Sequence, residues 1–145
     1  MKRFNTKNNP TRQYKQTKNN VNQTTHILKR GHFGLRSLEQ IKVDVSQINS
    51  LKKTLQKELK IIEKKTNQGK IKLWFYMLPN SAVTKLSPET RMGKGKGPIV
   101  SYCCYIKPGQ LLFEIANLPE AKTLELVSKI TSLISFKAQS LARFY

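Results

Sequence analysis

The sequence predicts an α+β fold: a two-layer α/β sandwich in which two helices lie on one face of a mostly antiparallel sheet. Two segments carry apolar residues at steps of three and four, which is the spacing of a helix face. Short segments of β-branched and aromatic residues lie between Gly, Pro and Asn turns. The resulting order, β-β-α-β-loop-β-β-α-β, favours helices packed on one side of a largely antiparallel sheet.

The first part of the predicted domain alternates apolar and polar residues from His26 to about Val43, with Gly31 and Gly34 as interruptions. This pattern indicates two short strands or one strand with a turn. A helix follows, because Asp44 and Gln47 resemble a capping box in which the Asp44 carboxylate accepts from the Gln47 N–H. Its apolar stripe is Ile48, Leu51, Leu55, Leu59 and Ile62. Asn67 and Gly69 are expected to end this helix. The lysines outside the stripe face either solvent or RNA.

The second part begins with a predicted strand from Lys70 to Leu78, whose Trp74 is expected to pack against the leucines of the first helix. A polar linker leads from Pro79-Asn80 to Glu89. Residues 99–106 predict a buried strand, 107–110 a type II turn, and 111–115 the returning strand of a hairpin. A second helix starts at Pro119-Glu120, and a short last strand covers 135–138. The stripe of this helix is Leu124, Val127, Ile130, Thr131 and Ile134.

The chain divides into a basic N-terminal extension, residues 1–24, and a single domain, residues 25–145. The extension contains six cations, no acidic residue and little apolar surface, so it cannot fold by itself. It is either a solvated tail or an arm that orders on RNA, and the charge of the whole chain favours the arm.

The formal net charge of +19 in 145 residues favours a polyanion as partner. Charge alone would also suit an anionic membrane surface, but the longest apolar run, Leu73 to Leu78, is far shorter than the roughly 20 residues of a spanning helix. Cys103 and Cys104 are adjacent, so on a strand they point to opposite faces, and we expect a buried, reduced pair. The histidines show no zinc-site spacing, and we expect no metal and no cofactor.

Catalytic motifs are missing from the sequence. The glycine-lysine loop, Arg91 to Gly97, is not a Walker A motif, because Pro98 follows where Lys is required. The eight acidic residues are scattered, and a paired-carboxylate site is not favoured. Glu114 is expected on a strand near the loop, where it would hold an arginine or lysine in place. We therefore predict that the protein is not an enzyme.

Three basic clusters are the predicted binding surface. The first is the glycine-lysine loop, in which glycines lacking a Cβ let the backbone approach an anionic partner closely. An aromatic ring among the cations of the second can stack on a base. The loop consists of Arg91, Gly93, Lys94, Gly95, Lys96 and Gly97 with Met92; the second cluster is Arg12, Tyr14 and Lys15; the third is Lys29, Arg30, His32 and Arg36.

The nine residues from Glu89 to Gly97 resemble the large-ribosomal-subunit protein family called L-sixteen, in its organellar form. Further matches follow in order along the chain: Pro10 with Arg12, Tyr14 and Lys15; Phe33-Gly34-Leu35 with Leu38; Gln47-Ile48; Trp74 and Pro79; Pro108-Gly109 with Leu112, Phe113 and Glu114; and Pro119-Glu120. The chain departs from the family at Tyr76, where the family has arginine, and in the rewritten strand 100–104.

This resemblance implies an α/β sandwich that binds large-subunit rRNA beside the aminoacyl-tRNA site. It implies that the glycine-lysine loop reaches toward the peptidyl-transferase region and the tRNA acceptor arm, and that the protein helps late subunit assembly. The implied partners are large-subunit rRNA, aminoacyl-site tRNA and neighbouring ribosomal proteins, with no membrane and no homo-oligomer. In bacteria the family arginine matching Arg91 can be hydroxylated.

Two other functions are compatible with the composition: a free-standing basic module that binds nucleic acid or phosphoinositides, and a small phosphoryl-transfer enzyme that uses the loop as a cradle. The abundance of Asn, Lys and Ile favours an organelle-encoded protein of the mitochondrial ribosome in the matrix. A plastid or a bacterial cytoplasm is the alternative location.

Overall fold

In the computed structural model, residues 21–22, 25–66 and 69–143 are described, and they form seven strands and two helices. The α+β class is therefore confirmed. The elements are β1 (Phe33–Ser37), β2 (Ile41–Asp44), α1 (Val45–Thr66), β3 (Lys72–Phe75), β4 (Ser81–Thr84), β5 (Ile99–Ile106), β6 (Leu111–Ala116), α2 (Glu120–Leu133) and β7 (Ala138–Ala142).

The strands divide between two antiparallel sheets. The four-stranded sheet has the order β3-β6-β1-β7, and the three-stranded sheet has the order β2-β5-β4. Three short connections, residues 38–40, 76–80 and 107–110, carry the chain from one sheet to the other. In the last of these, Gly109 has a φ of 80° and the Gln110 N–H donates to the Lys107 carbonyl at 3.1 Å, as the predicted turn requires. The predicted hairpin is wrong, however, because β5 and β6 lie in different sheets and each pairs with other strands.

Helix α1 follows the sequence prediction closely. Ile48, Leu51, Leu55 and Leu59 are buried and share one core with residues of both sheets and of α2. The chain enters this helix directly from β2, and the Asp44 N–H donates to the Gln47 side-chain oxygen at 3.2 Å. This bond is the return half of the predicted capping box.

Trp74 does not join that core, contrary to the prediction. Its neighbours Leu73 and Phe75 pack against the core, and Trp74 is half-buried on the other face of β3. The physical reason is the two-residue period of a strand, which sends successive side chains to opposite faces.

The buried face of α2 agrees only in part with the predicted stripe: Ile130 is in the core and Val127 and Ile134 pack against it, as predicted, but Leu124 does not. Thr123, Leu126 and Ile130 face the core, whereas Leu124 is 67% exposed. The predicted and the observed set both have helical spacing, but the observed set includes the polar Thr123 and is therefore harder to recognise from the sequence. The Thr123 hydroxyl donates to the Pro119 carbonyl at 3.0 Å, so burial leaves that group satisfied.

Two strands differ from the sequence prediction. β4 lies inside the predicted polar linker, where only Ala82 and Val83 give a short apolar signal, and it is ordered by pairing with β5. The last strand is β7, Ala138–Ala142, and not 135–138. It is a strand because it completes the other side of β1, with Phe33 opposite Ala142 and Ser37 opposite Ala138.

Cys103 and Cys104 are both free and buried, as expected, and burial raises the pKa of Cys104 to about 11. Neither described helix combines the length and the apolar character that crossing a membrane would require. Within the described ranges, no group of three or more His, Cys, Asp or Glu residues is arranged to hold a metal ion.

Candidate nucleic-acid interface

The glycine-lysine loop belongs to the connection between β4 and β5, the two strands of an antiparallel hairpin. The Lys85 N–H donates to the Pro98 carbonyl at 3.2 Å and closes the base of this connection. Within it, the Thr90 N–H donates to the Ser87 carbonyl at 3.0 Å. Met92 is 97% exposed, and Arg91, Lys94 and Lys96 are also exposed. The structure therefore brings these three cations together in one solvent-facing loop.

The three glycines of the loop have two different roles. Gly93 and Gly95 have φ values of 92° and 87°, and a Cβ added at either would meet no atom within 4 Å. They are required by backbone conformation rather than by space. Gly97 is required by space, because a Cβ there would lie 2.5 Å from the Lys85 carbonyl oxygen. The open part of the loop is thus residues 91–96, and Gly97 anchors it to the end of β4.

Lys29 and Arg30, from the third basic cluster, are held by a buried carboxylate. Glu114 on β6 is 1% exposed, and its Oε2 accepts from the backbone N–H groups of Arg30 and Gly31, both at 2.7 Å. The Lys29 N–H donates to Oε1 at 3.2 Å and to Oε2 at 3.3 Å. The prediction that Glu114 holds basic residues in place is therefore correct in kind. It acts on their main chain, however, and on residues 29–31 rather than on the glycine-lysine loop.

Tyr76 completes the partners of this carboxylate, since its hydroxyl donates to Glu114 Oε1 at 3.0 Å. Burial alone would raise the pKa of Glu114, but the backbone N–H groups of Gly31, Arg30 and Lys29, together with the Tyr76 hydroxyl, hold that pKa below its usual value. Burial, and then the hydrogen bond to Glu114, raises the pKa of Tyr76. Glu114 is therefore ionised and Tyr76 is neutral near pH 7.

Two glycines let the segment that carries Lys29 and Arg30 lie flat against the four-stranded sheet. A Cβ at Gly31 would lie 2.7 Å from the Ile115 carbonyl oxygen, and one at Gly34 would lie 2.6 Å from Leu28 Cδ2. A larger residue at either position would push the segment away from β6. The backbone geometry around residues 29–31 thus depends on Glu114 and on these close approaches together.

The remaining predicted site residues are separate from these two places. Arg36 on β1 donates from Nη2 and Nε to the Gln139 side-chain oxygen on β7, at 2.7 and 3.2 Å. Its guanidinium therefore lies across the sheet between neighbouring strands, while His32 is exposed. The second cluster, Arg12, Tyr14 and Lys15, lies outside the described residues.

The sequence did not predict which groups Glu114 binds, namely the Tyr76 hydroxyl and the main-chain N–H groups of residues 29–31. Glu114 accepts from residues 83 to 85 positions away along the chain. The available signal was its place in a strand of otherwise apolar residues, Phe113-Glu114-Ile115. An acidic residue in such a strand must find buried hydrogen-bond donors.

Comparison with known proteins places the chain in a family. The family described as Ribosomal protein L16p/L10e matches residues 5–140. The match covers well over half of the chain, so the protein belongs to this family of ribosomal proteins. The resemblance predicted from the sequence is therefore confirmed. Family membership indicates a structural role in the ribosome rather than catalysis.

The relatives found are bacterial and organellar. The chain is 33% identical over 113 residues to the large ribosomal subunit protein uL16 of Psychrobacter arcticus, which covers 78% of this chain and 77% of that protein. It is 35% identical over 112 residues to the large ribosomal subunit protein uL16m of Chondrus crispus, covering 77% and 80%. It is 32% identical over 114 residues to the large ribosomal subunit protein uL16c of Phaeodactylum tricornutum, covering 79% and 74%.

Proposed function

We propose that this protein is a structural constituent of the large ribosomal subunit, where it binds large-subunit rRNA and helps to organise the aminoacyl-tRNA site. The observation that carries the proposal is the exposed loop of Arg91, Lys94 and Lys96, built on a backbone that Gly93 and Gly95 turn through positive φ. The proposed partners are large-subunit rRNA, aminoacyl-site tRNA and neighbouring ribosomal proteins.

The chemistry of the loop suits phosphate groups. Lysine side chains reach out as flexible point charges, and arginine can contact a phosphate through two N–H groups. Gly93 and Gly95 add no side-chain bulk, so a nucleic-acid backbone can approach the loop closely. In this proposal the loop points toward the tRNA acceptor arm, and no protein side chain takes part in peptide-bond chemistry.

The proposed organisation is a domain of residues 25–145 that docks on rRNA and an extension of residues 1–24 that follows it along the RNA. Arg12, Tyr14 and Lys15 are the proposed contacts of the extension, and Lys29, Arg30 and Arg36 those of the third cluster. The proposed location is the mitochondrial ribosome, on the basis of the Asn-, Lys- and Ile-rich composition and of a uL16m relative.

A paired-variant experiment tests the role of the loop. The full chain carrying Lys94→Ala and Lys96→Ala should still fold, because both side chains are exposed. The salt slope of its RNA binding should fall by about 1.4 to 1.8 units, since each phosphate pairing contributes about 0.7 to 0.9. The matched control is Lys53→Ala with Lys57→Ala, which removes the same charge from exposed positions of α1.

The assembly readout is sedimentation of the tagged chain with the large subunit, followed by binding of aminoacyl-tRNA to those subunits. Either less of the loop variant should sediment with mature subunits, or the subunits that contain it should bind aminoacyl-tRNA more weakly. The control variant should behave as wild type in both measurements. Normal assembly and normal tRNA binding by the loop variant would refute the proposed role of the loop. A wild-type chain that never sediments with the subunit would refute the ribosomal function itself.

A further inference from the structure

A basic and aromatic groove runs around the edge strand β3, with α1 at one side and Arg30, Trp74 and Tyr76 at the other, and no residue of the glycine-lysine loop lines it. It has a volume of about 760 Å³ and is open to solvent. The residues that give it chemical character are Arg30, Lys52, Lys60, Lys70, Trp74 and Tyr76.

The helix side of the groove is cationic because Lys52 and Lys60 lie on the stripe of α1 that also carries Gln56 and Glu63. Lys52 Nζ lies 6.0 Å from the centroid of the Phe75 ring, which keeps its charge at the groove wall. Glu63 is the carboxylate among the lining residues, and its Oε1 accepts from the Ile71 N–H at 2.8 Å. Four cations against one carboxylate favour an anionic occupant.

The strand side of the groove is aromatic. β3 is an edge strand that pairs with β6, with Trp74 opposite Glu114. Because Leu73 and Phe75 face the core, Trp74 lies on the other face and stays half-buried instead of being covered. An accessible indole beside cations is the combination that unpaired nucleotides bind, with a base stacked on the ring and phosphates on the cations.

Two residues of the groove are fixed by the same buried group. Glu114 accepts from the Tyr76 hydroxyl at 3.0 Å and from the Arg30 N–H at 2.7 Å. The Tyr76 ring and the main chain of Arg30 therefore have defined places before any ligand arrives. A preorganised site loses less conformational entropy on binding.

We propose that this groove binds an unpaired stretch of RNA, with a base against Trp74 and phosphates at Lys52, Lys60 and Arg30. The proposal rests on the proposed ribosomal function and adds to it a second RNA surface of different chemistry. The glycine-lysine loop offers charge on a thin backbone, whereas the groove offers charge together with a stacking ring. An acidic protein segment could satisfy the charges but would leave the indole unused.

The test uses Trp74 as the probe, because it is the only tryptophan of the 145 residues. The full chain is titrated with oligouridylate of about 12 nucleotides, a length within the range of single-strand binding sites. Inorganic polyphosphate and polyglutamate serve as anions without bases. We expect oligouridylate to quench the Trp74 fluorescence, and the two other anions to bind with little quenching.

The same titration with paired variants identifies the lysines that bind phosphate. Lys52→Ala with Lys60→Ala should reduce the salt slope of the quenching curve by about 1.4 units, because each phosphate of a single strand that is no longer neutralised lowers the slope by about 0.7. Lys53→Ala with Lys57→Ala removes equal charge from α1 outside the groove and should leave the slope close to wild type. Thermal unfolding of both variants shows that each is folded.

Absence of quenching by oligouridylate, or equal effects of the two lysine pairs, would overturn the proposal. Quenching by polyglutamate as strong as that by RNA would also overturn it, in favour of an acidic protein partner. The ribosomal function is judged separately by sedimentation with the large subunit. If the chain sediments normally but oligouridylate does not quench Trp74, the groove proposal is wrong and the proposed ribosomal function stands.

Discussion

Replacement of Glu114 by Gln is the sharpest test of how the fold places Lys29 and Arg30. The amide has the size of the carboxylate, so its oxygen can still accept from the Arg30 and Gly31 N–H groups where Oε2 does now. The NH₂ group must then take the place of Oε1, which accepts from the Tyr76 hydroxyl. That bond survives only if the hydroxyl rotates and accepts instead.

The expected loss follows from the change of charge on the acceptor. Hydrogen bonds to a charged group contribute about 1.5–3 kcal/mol each, against about 0.5–1.5 kcal/mol for neutral ones. Since most partners of Glu114 keep an acceptor in the variant, Glu114→Gln should lower the free energy of unfolding by about 1–3 kcal/mol. Glu114→Ala leaves the buried donors of residues 29–31 without an acceptor and should cost more, about 3–5 kcal/mol in all, since each buried donor left unpaired costs about 1–3 kcal/mol.

The pH dependence separates this charge effect from a packing effect. The pKa of Glu114 is lowered in the folded protein, so its contribution is fully present above the unfolded pKa of about 4.3 and is lost as the pH falls through the folded pKa. Urea unfolding of wild type and of Glu114→Gln should therefore differ most near neutral pH and converge as the pH falls through the lowered pKa of Glu114. A difference that is constant with pH, or no difference near neutral pH, would refute this role of the carboxylate.

Two further predictions concern packing. Leu126→Ala should lower the free energy of unfolding by about 2–5 kcal/mol, because Leu126 is buried. Leu124→Ala should lower it by less than about 0.5 kcal/mol, because Leu124 is exposed. Equal losses in urea unfolding would contradict the observed face of α2. Gly97→Ala forces a methyl group against the Lys85 carbonyl and should destabilise the protein by about 1–3 kcal/mol. Gly95→Ala strains only the φ of residue 95 and should affect RNA binding more than thermal unfolding. A larger loss of stability in Gly95→Ala than in Gly97→Ala would contradict the two glycine roles.

The helices show what periodicity can and cannot predict. α1 was predictable because its four buried positions, Ile48 to Leu59, are all large aliphatic residues in one stripe. The face of α2 was predicted only in part, since Val127, Ile130 and Ile134 do pack on the core but Leu124 does not, because apolar residues occur on several sides of the helix. Leu124 and Leu133 are both exposed there, while the polar Thr123 is buried. Which stripe faces the core is decided by the packing of α2 onto the rest of the fold, which no local pattern contains.

The strands show the same limit for shorter elements. The strands β5 and β6 and the turn between them were predicted because Pro108-Gly109 lies between two apolar runs. The predicted hairpin was wrong, because β5 pairs with β2 and β4 whereas β6 pairs with β1 and β3. β4 was missed because four residues with two small apolar side chains give little periodicity, and β5 supplies the backbone partners that make it a strand. The division into two sheets depends likewise on which strands pair, and these pairs join distant parts of the chain.

The candidate site was predictable in its charges but not in its support. Arg91, Lys94 and Lys96 were recognised from the sequence, and the structure places them on one exposed loop. The sequence could not reveal that Glu114 binds residues 29–31, because the two partners are 83 or more positions apart along the chain. It also could not reveal the groove, which exists only because α1 passes beside the edge strand β3.

The distribution of the few acidic residues explains why positive charge is concentrated at the proposed RNA surfaces. Several acids connect elements of the fold: Glu58 contacts Lys129 between α1 and α2 at 3.1 Å, Glu39 contacts Lys137 at 3.7 Å, and Glu114 binds segment 29–31. The cations of the glycine-lysine loop make no salt bridge with any residue that the structure describes. Exposed salt bridges contribute little to stability, so the core and the Glu114 network must hold the fold against its own charge. A polyanion that neutralises the loop and the groove would therefore stabilise the fold at the same surfaces through which it binds.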